Sequence, residues 1–203
     1  MPPGMRIALL CAALLFPLAC GAESSVTVLA HPNDPRIPLV REAIDYWNGV
    51  LAEIGSALRF AAPSVMVRQV PAQELRDLSE SVRSLVPPSM PQSILRLPGD
   101  LIVVLSDDDF VSFGTRWPEA DKALAAVKSH ERWPLTLPNV ARNVIAHEIG
   151  HAIGLRHNDD PAMLMCGRPA PCRPDGFQSD TPRIFPLSAE EKERLRRLYP
   201  APR

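Results

Sequence analysis

The sequence lacks several features that indicate particular classes of protein. Lysine and arginine total 22 against 23 aspartate and glutamate residues, so no basic excess exists to neutralise phosphates, and nucleic acid is a poor candidate partner. No internal repeat is evident, and no apolar run reaches the roughly 18 residues that indicate a membrane-spanning helix. What remains is a globular composition, 46% hydrophobic and 22% charged, in a chain of about one domain's length.

The N-terminus has the pattern of an export signal. A basic residue precedes the apolar run Ile7 to Ala19, which ends in small residues. We therefore predict that residues 1–22 are a signal peptide and that a folded domain, residues 23–203, is exported to the periplasm, the cell envelope or the medium. Two alternatives stay open. Cys20 becomes the lipidated first residue of an anchored lipoprotein, or cleavage after Ala22 releases the protein.

Cysteine is scarce outside the signal region. Cys166 and Cys172 are the two cysteines that remain in the folded domain, and they lie six positions apart. In an exported chain such a pair is expected to form a disulfide bond. Two free thiols are the less favoured alternative, and the two residues alone provide too few ligands for a zinc site.

Hydrophobic periodicity predicts strands alternating with helices. The predicted strands are Val26–Ala30, Ser64–Val70, Leu101–Leu105, which reads as buried on both faces, and Ala123–Ser129 at the sheet edge. The predicted helices are Ile37–Ile54, Glu74–Val86, Asn139–Ile153 and a last helix that starts at a capping box of Ser188 and Glu191 and ends at Leu198. The alternation predicts an α/β fold.

Three acidic residues follow the third strand, at 107–109. A calcium site is one interpretation, since carboxylates suit a hard cation. The ligand spacing of a known calcium loop is absent, so we favour a solvated strand end and regard calcium as unsupported. His31 and His130 have no ligand-spaced neighbours in the sequence, and we expect ordinary surface or loop residues there.

The chemistry is concentrated in the stretch from His147 to His157. His147 and His151 are four apart on a predicted helix, so their Cβ atoms lie about 5–6 Å apart on one face, which suits a shared zinc ion. Gly154 can adopt a positive φ, end the helix and return the chain, which brings His157 to the same ion. Three protein nitrogens leave a fourth position open, as in catalytic zinc sites.

Glu148 stands beside the first ligand and lies about 100° further round the helix. From there its carboxylate reaches the water of the fourth position without ligating the metal. Zinc lowers the pKa of that water to about 7, and Glu148 can take its proton as a general base and pass it to the leaving amine. Incidental histidines on an amphipathic helix are the alternative, which the third histidine makes improbable.

These residues resemble the metzincin zinc metalloendopeptidases, and matrixins in particular. Met165 follows His157 by eight positions, as the turn methionine does in matrixins, where it forms an apolar floor beneath the imidazoles. The resemblance implies a twisted mixed sheet of about four to five strands, two long helices and a small C-terminal subdomain ending in a helix. It also implies an edge strand facing the cleft, along which a peptide substrate binds in extended form.

The chain also departs from the family pattern. Gly167 stands where astacin-like enzymes carry an additional tyrosine ligand, and no propeptide with a cysteine switch is visible. The resemblance places residues 167–185 in the wall of the S1′ pocket, braced by the cysteine pair, which makes them the expected specificity determinants.

The prediction is therefore a monomeric, exported zinc endopeptidase with a single catalytic ion. Its only expected contact with a membrane is an N-terminal lipid anchor. Two other classes stay open: a zinc-binding but inactive protein that captures peptides, and a structural envelope lipoprotein. The catalytic glutamate argues against the first, because a protein that only binds needs no base.

Overall fold

The computed structural model describes residues 23–167, 179 and 181–201. The predicted signal segment lies outside these residues, and so do Cys20, Cys172 and much of the expected pocket wall. None of the helices in the described ranges is long and apolar enough to cross a membrane.

The described residues contain five strands that form one sheet. They are β1 (Val26–Leu29), β2 (Ser64–Met66), β3 (Leu101–Leu105), β4 (Phe113–Trp117) and β5 (Lys122–Val127). The order across the sheet is β2-β1-β3-β5-β4. The first four strands in that order are mutually parallel, and β4 runs antiparallel to β5. The predicted α/β fold with a mixed sheet is confirmed.

Five α-helices lie in the same part of the chain. They are α1 (Ile37–Glu53), α2 (Ala72–Arg83), α3 (Gln92–Leu95), α4 (Pro138–Ala152) and α5 (Ala189–Leu198). Helices α1 and α4 are the two long helices that the sequence predicts. The capping box at Ser188 and Glu191 is present at the start of α5, with both of its hydrogen bonds formed.

Two predictions about the sheet need correction, and one strand was not predicted. The second strand spans three residues rather than seven, because the chain after Met66 leaves the pairing with β1. The strand predicted at 123–129 covers Lys122–Val127 and is not at the edge: it pairs with β3 on one side and β4 on the other. The edge strand on this side of the sheet is β4, and neither β4 nor the short helix α3 was predicted.

The sheet separates two hydrophobic clusters, as the apolar run of β3 predicts. Leu101, Val103 and Leu105 face the cluster that contains α1 and α4, whereas Ile102 and Val104 face the cluster beneath α2. All five side chains are buried. Successive residues of a strand point to opposite faces, so a strand covered on both sides is apolar throughout.

Helices α1, α2 and α4 end in the same hydrogen-bonded turn. In each, an amide beyond the helix bonds a carbonyl five residues earlier, which is the mark of a Schellman motif. These bonds are Ser56 N to Leu51 O, Val86 N to Ser81 O and Leu155 N to Gly150 O, each 2.9 Å long. The residue before that amide has positive φ: Gly55 at 69°, Leu85 at 57° and Gly154 at 98°. For a residue with a Cβ this left-handed conformation costs about 1–2 kcal/mol.

Candidate metal centre

Three imidazole rings converge at the C-terminal end of α4. His147 and His151 lie one turn apart on the helix, and His157 follows the turn at its end. The Nε2 atom of His157 is 3.1 Å from that of His147 and 3.0 Å from that of His151. Nitrogens bound at 2.0–2.1 Å to a tetrahedral zinc ion lie about 3.3 Å apart. The arrangement therefore fits one zinc ion held by three histidines.

The turn after α4 brings the third ring back, as predicted for Gly154. With φ at 98°, Gly154 lets the chain reverse while the Leu155 and Gly154 amides satisfy the last helical carbonyls. A Cβ at Gly154 would lie 2.9 Å from the Leu198 side chain, so space is restricted there as well. The reversal places His157 opposite the two helical histidines.

Two of the rings are oriented by backbone carbonyls through Nδ1. His147 Nδ1 lies 2.8 Å from the Leu164 carbonyl oxygen, and His151 Nδ1 lies 3.0 Å from that of Leu155. A carbonyl oxygen only accepts, so Nδ1 carries the proton and Nε2 keeps its lone pair. If His157 Nε2 carried a proton, it could donate a hydrogen bond to only one of the other two imidazoles. A cation at the centre would instead accept the lone pairs of all three Nε2 atoms.

Burial favours the uncharged form of His151 and His157, which is the form that metals bind. It lowers the pKa of His151 to about 4, and it also lowers the pKa of His157. Both rings are therefore neutral at pH 7 and need no deprotonation before they bind a cation.

The segment after the third histidine folds back on its ring. The amide of Asn158 donates to the Met165 carbonyl at 2.9 Å, and the amide of Gly167 donates to the Asn158 carbonyl at 3.0 Å. This pairing brings Gly167 against the His157 ring, where an added Cβ would lie 2.1 Å from Cγ. From the sequence, Gly167 stands out only because astacin-like enzymes carry a tyrosine at that position; its contact with the His157 ring was not predicted.

Met165 lies directly against the helix that carries the first two histidines. It is fully buried, and a Cβ at Gly150 would lie 2.6 Å from its sulfur atom and 3.1 Å from Trp47. This position, between the turns that hold His147 and His151, is compatible with the predicted apolar floor. Cys166 is buried next to it, but Cys172 lies outside the described residues, so their pairing stays a prediction.

Glu148 borders the same site from the helix. Its side chain is 7% exposed, and burial raises the pKa of its carboxyl group to about 8. A cation held by the neighbouring imidazoles would favour the carboxylate and oppose that shift. Glu148, His151 and His157 line one cleft of about 760 Å³, which Leu85 and the first residues of β4 also line. A buried carboxyl group thus faces the cleft beside the candidate ligands.

The two remaining histidines lie in loops, as expected, but each has charged neighbours that the sequence does not predict. His31 Nε2 lies 2.6 Å from an Asp107 carboxylate oxygen. One ligand atom each from Asp34, Asp107 and His130 lie within 4.8 Å of one another. The Arg36 guanidinium donates two hydrogen bonds to Asp34, at 2.9 and 2.6 Å, and so already neutralises that carboxylate. We interpret this group as a structural ion-pair cluster.

The acidic run after β3 does not present its carboxylates to one point. Asp107 belongs to the cluster just described, Asp108 accepts a hydrogen bond from the Ser106 hydroxyl at 3.3 Å, and Asp109 pairs with Lys128 at 3.5 Å. These separate partners are compatible with the favoured interpretation of a solvated strand end.

Comparison with known proteins bears on both the site and the fold. Residues 118–170, about a quarter of the chain, match a family model described as a dual-action HEIGH metallopeptidase. The letters HEIGH stand at positions 147–151 of this sequence. The matched segment thus begins just after β4, includes α4 and Met165, and contains all three candidate ligands.

Two solved structures match most of the chain. An archaemetzincin from Methanopyrus kandleri has a TM-score of 0.50 and 18% identity, over 89% of this chain and 98% of that one. A zinc-dependent peptidase from Methanocorpusculum labreanum has a TM-score of 0.42 and 15% identity, over 84% of this chain and 99% of that one. No curated protein matches the chain. The segment that contains the candidate ligands therefore resembles a metallopeptidase in sequence, and the chain resembles an archaemetzincin in fold.

Proposed function

We propose that the protein is a zinc-dependent endopeptidase with His147, His151 and His157 as the zinc ligands and Glu148 as the general base. The observation that carries the proposal is the convergence of three Nε2 lone pairs beside a buried carboxyl group in one cleft. The match of the same segment to a metallopeptidase family model supports it. The finer assignment to a matrixin-like group rests on the spacing of Met165 from the third histidine.

In this proposal each protein group has one task. A zinc ion held by the three imidazoles supplies Lewis acidity and lowers the pKa of water. Glu148 takes a proton from the attacking water and later gives it to the leaving amine, so it starts the cycle as a carboxylate and is restored at the end. The carbonyls of Leu164 and Leu155 keep the first two rings in one tautomer and orientation.

The proposed substrate is a peptide bound in extended form beside the edge strand β4. The cleft adjoins the first residues of β4, Phe113 and Gly114, and β4 has a neighbouring strand in the described sheet only on its β5 side. An extended peptide can add to such an edge through backbone hydrogen bonds. We also propose that the protein acts as an exported monomer, with Cys166 and Cys172 joined and its N-terminus either lipidated or released.

The first experiment separates catalysis from binding. The purified protein is incubated with a diverse peptide library, with and without a chelator, and the cleavage sites are mapped. Glu148→Ala should retain one zinc ion while the cleavage rate falls about 10²–10⁴-fold, the usual contribution of a general base. Retained zinc with an unchanged cleavage rate would remove Glu148 from the mechanism.

The same measurements distinguish the two alternatives. A zinc-loaded wild-type protein that binds library peptides without cutting them would be a peptide-capture protein. A folded wild-type protein without stoichiometric zinc, under zinc-replete conditions, would favour a structural envelope lipoprotein.

A further inference from the structure

The turn that ends α2 departs from the other two turns of its kind in one residue. Gly55 and Gly154 occupy the left-handed position after α1 and α4, whereas Leu85 occupies it after α2, with the same hydrogen-bond pattern. Glycine is the usual residue at this position because it has no Cβ to clash with the backbone. Among the described residues, two of these turns therefore have glycine at the left-handed position and one has leucine.

Leu85 gains nothing from burial that would offset its backbone conformation. Its side chain is 91% exposed, the highest value among the large hydrophobic residues that the structure leaves open to solvent. An exposed leucine contributes almost no hydrophobic stabilisation. Leu85 therefore combines an unfavourable φ with an unburied apolar side chain, and the folded structure alone does not account for it.

The position of Leu85 connects it with the candidate metal centre. It lines the same cleft as Glu148, His151 and His157. Val111, which is 52% exposed, lines that cleft as well, and Val86, which is 56% exposed, follows Leu85 in the chain. Leu85 and Val111 thus form an exposed apolar lip of this cleft, and Val86 adjoins the lip in the chain.

The lip is held in a fixed relation to the edge strand. The Trp117 indole, at the end of β4, donates a hydrogen bond to the Pro88 carbonyl at 2.7 Å. Prolines at 87 and 88 restrict the backbone between this anchor and the end of α2. Leu85 thus lies between the end of α2 and the Pro87-Pro88 segment, which is bonded to β4. Both flanking segments restrict its backbone.

We propose that Leu85 is a specificity-determining residue that contacts an apolar side chain of the peptide lying beside β4. This inference rests on the proposed endopeptidase function. A peptide side chain is the occupant that fits, because the lip is continuous with the cleft that holds the candidate base and ligands. Contact with that side chain would bury Leu85 and so offset, in the complex, the cost of its conformation.

The test relies on a substitution of Leu85 that is expected to raise stability and to lower activity. Leu85→Gly should raise the melting temperature by about 2–6 °C, since it removes the left-handed penalty. Its kcat/KM should fall about tenfold or more for peptides with a large apolar residue near the cleavage site, and change little for matched peptides with glycine there. Zinc content should be unchanged. Leu85→Met should keep most of the activity on the apolar peptides.

Gly55→Leu provides the matched control in the turn after α1. A Cβ there meets no atom within 4 Å, so only the backbone cost applies. This variant should lower the melting temperature and leave kcat/KM unchanged for both peptides.

Three results would overturn the proposal. Leu85→Gly could cut both peptides at the wild-type rate, it could lose activity equally on both, or it could lose stability together with activity, which would make Leu85 a structural residue. An inactive wild-type protein would instead refute the endopeptidase function on which the proposal depends, so the two failures are distinguishable.

Discussion

The five histidines of the chain fall into two groups that differ in what surrounds them. In the first, His147, His151 and His157 turn their Nε2 atoms towards one another, and backbone carbonyls hold two of the rings from behind. In the second, His31 and His130 lie among two aspartates and an arginine. Both groups have ligand atoms close enough for a metal ion. The second group already contains a positive charge, the Arg36 guanidinium, whereas the first contains none.

This difference shows why proximity of ligand-type residues is a weak indicator of a metal site. Converging neutral imidazoles leave lone pairs that a cation alone satisfies together. In the second group the Arg36 guanidinium supplies the positive charge, and it also donates to the carbonyls of Ser106 and Lys128 at 3.1 and 2.7 Å. It therefore joins the segments that follow β1, β3 and β5. The first group fits a reactive centre and the second a structural clamp.

The largest expected effect separates the groups directly. His151→Ala should remove stoichiometric zinc and lower peptidase activity by about 10³-fold or more, because a ligand and the chemistry it supports are lost together. His130→Ala should keep both within about twofold, since the segment clamp remains through Arg36. Metal analysis and peptide cleavage of the two purified variants provide the measurement. Loss of zinc from His130→Ala would show that the two groups are not independent.

The second prediction concerns the clamp. Asp34→Asn leaves the Arg36 charge without its carboxylate in a buried site, and breaking such a pair costs about 3–5 kcal/mol of unfolding free energy. Zinc content should not change. Urea denaturation of the chelator-treated proteins measures the cost. A loss below about 1 kcal/mol would mean that water or another group replaces the carboxylate.

The same pair gives a pH dependence. Burial alone would raise the pKa of Asp34, but the hydrogen bonds and charge of Arg36 outweigh it, and the pKa lies below its ordinary value of 3.8. The unfolded chain thus binds this proton more readily than the folded one, so the stabilisation is complete above about pH 4 and lost as the pH falls through the lower, folded value. The gap between wild type and Asp34→Asn should narrow over that window and stay constant from pH 5 to 7.

The smallest expected effect sharpens the account of the first group. Gly167→Ala places a methyl group against the His157 ring, which should shift the ring and weaken zinc binding about 10–100-fold, as changes next to a ligand usually do. Gly49→Ala is the matched control: it lies on an exposed position of α1, where a Cβ meets nothing within 4 Å. It should leave zinc affinity unchanged and stabilise the helix by about 0.5–1 kcal/mol. Competition with a chromogenic chelator measures both affinities.

The parts of the site that local geometry controls could be predicted from the sequence. The spacing of His147 and His151 on a helix and the reversal at Gly154 depend on residues within a few turns of chain. The contacts of Leu164 with His147 and of Gly167 with His157 could not be predicted, because they require the position of a segment that returns from elsewhere. The grouping of His130 with Asp34 was missed for the same reason, since the two residues follow different strands.

The fold shows a similar division. The long helices and β3 carry strong periodic or apolar patterns, and they lie where the sequence predicts. Strand β4 does not: it contains Gly114 and Arg116, and its place is fixed by packing rather than by its own composition. A Cβ at Gly114 would lie 2.1 Å from the Glu148 carbonyl oxygen, so glycine allows β4 to approach α4 closely. Missing this strand is what put β5 at the edge of the predicted sheet.

The hydrogen bond between His147 and the Leu164 carbonyl also determines when the proposed metal centre can form during synthesis. The Leu164 carbonyl orients His147, while the Leu164 amide donates to the Pro186 carbonyl at 2.8 Å, and the Phe185 amide donates to Asn143 on α4 at 2.9 Å. The first imidazole therefore depends on residues almost forty positions downstream. A nascent chain, or a copy cut before residue 185, lacks that support, so the proposed proteolytic capacity arises only after this late segment has been made and has docked.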